Sequence, residues 1–102
     1  MKTNVIAALI VALIGGIGTA AAGDAGAGKA KFAVCAGCHG PTGAGNEALK
    51  YPKLSGLEAA YVKQQLVAFK SGARDNATMK AMTAGLNEAD MDNLAAYIAT
   101  LK

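Results

Sequence analysis

The sequence predicts an all-α fold of three main helices joined by long loops. Three observations support this. Apolar residues recur at helical spacing over 58–71 and 87–101. Helix start and stop residues bracket those stretches. Beyond residue 22, β-branched residues are sparse, and no run alternates as a strand would.

The chain of 102 residues opens on a pattern that belongs to export rather than to the fold. Lys2 supplies a positive start. "VIAALIVALI" from Val5 to Ile14 is an apolar run, and "GGIGTAAAG" then supplies small residues. Ala20 and Ala22 fit an A-x-A cleavage site ahead of Gly23. Residues 1–22 are therefore expected to be a cleaved signal peptide, and 23–102 a single exported domain in the periplasm. The competing reading is a retained membrane anchor, because Val5 to Ala22 sits at the lower edge of spanning length and ends in Gly and Ala.

Within the domain, Asp24 can cap a first helix starting near Ala25 and running through "GAGKAKFAVCAGC". Gly26 and Gly28 weaken its propensity, so something must pack closely there. Residues 39–56, "HGPTGAGNEALKYPKLSG", read as a loop rich in Gly and Pro. A second helix is expected from Glu58 to about Ser71, stopped by Gly72, with Val62, Leu66, Phe69 and Ala73 on its buried face. The stretch "GARDNATMKAMTAG" reads as a second long loop holding at most one helical turn. The last helix is the clearest. Asn87 caps it, Asp90 completes a capping box, and Met91, Leu94, Ala95, Ile98 and Leu101 form one stripe.

Composition narrows the function classes. Removing residues 1–22 takes away Lys2 alone, leaving nine basic residues against seven acidic ones, a net charge of +2. Scattered lysines and few aromatics argue against nucleic-acid binding. They suit weak docking to an acidic partner surface. A domain of about 80 residues buries little apolar surface and commonly needs a staple such as disulfides, a metal or a large cofactor. The two long loops point the same way, since an apolar object between the helices would account for them.

The only two cysteines and the only histidine stand together in "CAGCHG", residues 35 to 40. A redox dithiol of the thioredoxin kind needs a strand before the motif and a helix beginning at it, and neither pattern is present. A structural zinc ion needs four ligands. Cys35, Cys38 and His39 give three, and no other Cys or His exists. A Cys-x-x-Cys disulfide closes too short a loop to stabilise much. Covalent haem attachment fits best. Both thiols form thioethers to the haem vinyl groups, and the adjacent histidine ligates the iron. One haem c bound through Cys35 and Cys38 would be the missing staple.

A sixth iron ligand must come from elsewhere. Met91 lies on the terminal helix stripe and reads as core. Met79 and Met82 lie in the segment before that helix, and the residues alone leave the choice between them open.

Four stretches together resemble the small class I cytochromes c of bacteria, in particular the cytochrome c553, c4 and c5 group. These are "GKAKFAVCAGCHG", "YPKLSG", "YVKQQLVAFKSGAR" and "MKAMTAGLNEADMDNLAAYIATL", which between them reach across most of residues 24–102. The resemblance implies a class I cytochrome c fold wrapped around one covalently bound haem. It implies that Gly28 and Phe32 pack against Leu94 and Tyr97 of the terminal helix. It implies that the Pro52 carbonyl accepts the Nδ1 proton of His39, and that Leu54 packs on the haem. It favours Met79 over Met82, because Met79 stands seven residues before Leu86 as the ligand does in that group. Leu57-Glu58 departs from the group's usual residues there. Phe32, Leu54, Leu66 and Met82 are expected to line the pocket. Arg74 is either a partner of a haem propionate or a solvent-facing cation. Lys50, Lys53, Lys70 and Lys80 are expected to flank the docking face.

The function so implied is electron transfer between respiratory redox proteins. A cytochrome bc1 complex is the implied donor and a terminal oxidase or reductase the implied acceptor. No small-molecule substrate is expected, and the chain should be a monomer or weak homodimer. Two alternatives stay open: a haem enzyme or gas sensor with a free sixth position, and a membrane-anchored subunit of a larger redox complex.

Overall fold

The computed structural model describes residues 23–102, so the expected signal peptide over 1–22 lies outside the described residues. Four helices follow in order: α1 (Ala25–His39), α2 (Ala59–Ser71), α3 (Ala77–Thr83) and α4 (Glu88–Ile98). No strand forms among the described residues; one isolated bridge pairs Asn46 with Tyr51. The three expected helices are present. The segment expected to be a loop with one turn contains the fourth, α3, because Asn76 supplies an N-cap that starts it.

The caps explain where each helix begins. The Asp24 side chain accepts from the N–H groups of Gly26 and Ala27. On α4 the Asn87 side chain accepts from Asp90 N at 2.8 Å, and the Asp90 carboxylate accepts from Asn87 N at 3.1 Å. This is the reciprocal capping box. Gly72 ends α2 in the left-handed conformation, and its N–H donates to the Phe69 carbonyl.

The core is assembled from α1, α2 and α4. Phe32, Val62, Leu66, Met91, Leu94, Ala95 and Ile98 form one buried cluster, with Leu94 only 1% exposed. Full burial of a Val, Leu, Ile, Phe or Met side chain is worth about 1.5–3 kcal/mol. Two expected members of these faces differ. Ala73 is exposed, because α2 has already ended at Gly72 and the chain turns outward. Leu101 is only half-buried, since α4 stops at Ile98.

Helices α1 and α4 cross at Gly28. A Cβ there would overlap the carbonyl of Asn93 and lie 2.9 Å from the Tyr97 Cβ. The Phe32 ring, one turn further on, packs on Tyr97 with centroids 5.2 Å apart. Asn93 Oδ1 also accepts from Asp24 N at 2.8 Å, fixing the start of α1 against α4. On the other side of α4, Lys63 of α2 bridges Glu88 at 2.8 Å and Asp92 at 2.7 Å. The long loop after α1 is closed by its own hydrogen bonds and by Gly56 N donating to Leu101 O at 2.9 Å.

Candidate functional site

The end of α1 delivers its three chemistry-bearing side chains to one cleft. Two adjoining cavities, of about 230 and 390 Å³, share Cys35, His39, Lys50, Pro52, Asn76 and Met79 in their walls. The smaller is completed by Val34, Cys38, Leu49, Tyr51 and Met82 among others. The larger reaches the core through Leu54, Val62, Leu66, Leu94 and Ile98. Helices α1, α2 and α3 and the loop over 40–56 thus enclose a largely apolar cleft.

Cys35 and Cys38 are three apart on a helix, so they lie on neighbouring positions of one face. No disulfide joins them. Cys35 is half-buried, and burial pushes its thiol up from the ordinary value. Cys38 is exposed at the rim. Its sulfur beside Tyr51 pushes that hydroxyl up.

His39, the last residue of α1, is 6% exposed. Its Nδ1 lies 2.9 Å from the Pro52 carbonyl oxygen. A carbonyl can only accept, so Nδ1 carries the proton, and in the neutral imidazole this leaves the lone pair on Nε2. The same contact fixes the ring's orientation, the usual device for making an imidazole a defined ligand. Gly45 makes it possible. Its N–H donates to the His39 carbonyl at 2.8 Å. At φ +74, a Cβ there would meet Tyr51 O at 2.6 Å and Lys53 N at 2.7 Å. Only glycine lets residues 51–53 pass close enough to present Pro52 to the histidine.

Met79 lines both cavities from α3 and is half-buried. Met82 lines the smaller one alone and is 41% exposed. Leu54 and Leu66 stand in the larger cavity, whereas Phe32 lies in neither wall. The expectation that Phe32 lines the pocket is corrected by its tilted packing against Tyr97 inside the α1–α4 crossing.

Arg74 is exposed at the mouth of the cleft. It lines the larger cavity while its guanidinium donates to Gln65 Oε1 at 2.7 Å and lies 4.6 Å over the Phe69 ring. Lys50 and Lys53 stand at cavity walls. Lys70 does not project freely, because its Nζ donates to the Leu86 carbonyl. Sequence reasoning missed Asn76, which lines both cavities and caps α3. The signal was present as an Asn three residues before Met79. Gly45 and Tyr51 were also missed, since nothing local marks their long-range contacts.

The donor set fits a haem. An apolar cleft presents two thiols at its edge, one imidazole with a fixed tautomer, and a thioether on a separate helix. Fold and site together define a haem-binding electron-transfer domain.

The comparisons with known proteins agree. The cytochrome c family model matches residues 25–102, and the chain belongs to the cytochrome c family. It is 50% identical to cytochrome c-554(547) of Halothiobacillus neapolitanus over 95 residues, a match covering 79% of this chain and all of that one. It is 42% identical to the thiosulfate dehydrogenase electron acceptor of Thiomonas intermedia, across 92% of this chain but 43% of that one. Among solved structures, reduced cytochrome c4 from Pseudomonas stutzeri superposes with a TM-score of 0.73 at 33% identity, covering 79% of this chain and 52% of that one. The chain therefore spans the whole of the first of these proteins and about half of the other two. Its fold is the class I cytochrome c fold, and its cofactor is haem c, attached through Cys35 and Cys38. It is a redox carrier whose partners are redox proteins.

Proposed function

We propose that the chain is an exported periplasmic electron carrier whose single haem is held between His39 and Met79. The observation that carries this reading is the meeting of Cys35, His39 and Met79 in the walls of both cavities. The haem supplies a one-electron ferric/ferrous couple. His39 contributes Nε2, oriented by the Pro52 carbonyl. Met79 contributes a soft, neutral thioether, which favours the reduced state and raises the potential. Leu54, Leu66 and the buried face of α4 exclude water. A site closed by two protein ligands in both oxidation states reorganises little, as suits a carrier rather than an enzyme.

Residues 1–22 are proposed as the cleaved signal peptide. No helix among the described residues is long and apolar enough to cross a membrane. A cytochrome bc1 complex is the proposed donor and a terminal oxidase or reductase the acceptor. The likeness to a thiosulfate dehydrogenase electron acceptor adds thiosulfate dehydrogenase as a candidate donor. No nucleic acid or small-molecule substrate enters this reading, and the carrier acts as a monomer or weak homodimer.

The test is spectroscopic. The ferric protein should show the near-infrared sulfur-to-iron band. Met79→Ala should abolish it and Met82→Ala should retain it. Absence of the band in the unmodified protein, with ready carbon monoxide binding, would replace the carrier with an open-site enzyme or sensor.

A further inference from the structure

Helix α3 is seven residues long, and its only buried residue is a threonine, Thr83. A helix of two turns is marginal in isolation. The usual remedy is an apolar stripe pressed into a core, and α3 has none. Its ends are held instead by two polar side chains, and both act on the same residue. Asn76 Oδ1 accepts from the backbone N–H of Met79 at 2.9 Å. The Thr83 hydroxyl donates to the backbone carbonyl of Met79 at 2.8 Å, with a longer contact of 3.3 Å to Lys80 O.

Thr83 is 1% exposed, which makes this contact obligatory. A buried hydroxyl without a partner is costly, and the Met79 carbonyl is its nearest acceptor. Met79 and Thr83 are four apart, so they share one helix face. The buried anchor and the cleft-facing methionine are therefore tied by one hydrogen bond on one side of α3. Asn76 closes the other end while itself lining both cavities. Met82 receives no such hold.

We infer that Thr83 and Asn76 are positioning residues for Met79. They clamp its backbone N–H and C=O so that the thioether stays in the cleft and resists displacement from the iron. The inference rests on the reading of Met79 as a ligand. It adds which residues set the strength of that ligation.

The experiment titrates haem-loaded ferric protein with imidazole and follows loss of the near-infrared band, with global unfolding by denaturant measured alongside. Thr83→Val keeps shape and burial but removes the hydroxyl. It should bind imidazole roughly ten-fold more tightly, the usual effect of deleting one such hydrogen bond. Thr83→Ser restores the donor and should return the titration to within about two-fold of the parent, even where its lost methyl lowers global stability. Asn76→Ala, on an exposed residue, should move the titration in the same direction by roughly three-fold. A Thr83→Val protein with altered denaturation but unaltered imidazole binding would overturn the clamp while leaving Met79 as ligand. A Met79→Ala protein that keeps the band would remove the ligand reading and the clamp with it. Should Thr83→Val fail to fold, an Asn76→Ala titration identical to the parent overturns the clamp by itself.

Discussion

The Nδ1 of His39 and the carbonyl oxygen of Pro52 stand 2.9 Å apart, across a loop that separates them by 13 residues. The backbone at Gly45 holds that loop in place. Gly45→Ala would add a Cβ 2.6 Å from Tyr51 O at a φ of +74. The loop must then shift, the Nδ1 bond lengthens, and the imidazole becomes a weaker donor to ferric iron. The expected result is a protein that still binds haem but whose reduction potential rises, on the order of 30–60 mV for about 1 kcal/mol in a one-electron couple. Potentiometric titration of the parent and variant would show it. An unchanged potential would mean that Pro52 does not tune the histidine.

Two glycines of α1 should respond to alanine with opposite signs. An exposed helical glycine is worth about 1 kcal/mol less than alanine, so the change ordinarily stabilises. Gly37 has nothing within 4 Å of a built Cβ, and Gly37→Ala should raise stability by about 0.5–1 kcal/mol. At Gly28 the new methyl would overlap Asn93 and approach Tyr97 at 2.9 Å. Forcing α1 and α4 apart should cost about 1–3 kcal/mol. Denaturant melts of the two haem-loaded variants give the comparison.

The contrast between these glycines bears on what the sequence makes legible. Gly28 reads as a weak spot in a helix, and the resemblance named its partners as Leu94 and Tyr97. The structure adds Asn93, whose backbone makes the closest approach. Capping chemistry is local, so Asp24, Asn87 and Asp90 were readable directly. The apolar stripe of α4 was readable for the same reason. Helix α3 escaped because it has no stripe: its one buried side chain is Thr83, which no hydrophobic pattern marks. Cys35, Cys38 and His39 become legible from their spacing once the missing strand and the missing fourth ligand set aside a redox dithiol and zinc. Asn76 carries a local cap signal, but its place in the cavity walls does not follow from it. Gly45 acts through the path of the backbone and becomes visible only in three dimensions.

The cap of α4 gives a third expectation. The Asn87 side chain and the Asp90 carboxylate satisfy each other's backbone N–H groups. Asn87→Ala removes the side-chain acceptor and leaves the N-terminal turn of the helix that carries Leu94 unsupported. Loss of such a cap costs about 0.5–2 kcal/mol. Thermal melts should register it with the cleft spectrum unchanged, since neither residue lines the cavities. A melting temperature equal to the parent's would show that water substitutes fully for the box.

The contact of Lys63 with Asp92 and Glu88 carries a pH dependence. The hydrogen bond to Asp92, then that to Glu88, holds the Lys63 ammonium above its ordinary value of 10.5. A raised folded value means the native state binds the proton more tightly than the unfolded chain. The contribution is therefore complete below about 10.5, the unfolded value, and is lost as pH rises through the folded value. Lys63→Met removes it at every pH and leaves two carboxylates four residues apart on α4, a repulsive pair. The parent should thus melt above the variant at pH 7, and the gap should narrow in strongly alkaline buffer. Because the group faces solvent, high salt at pH 7 should narrow the same gap. Melting curves of parent and variant at both pH values and both ionic strengths provide the check, and a gap constant across all four conditions would show that Lys63 acts through its aliphatic stem rather than its charge.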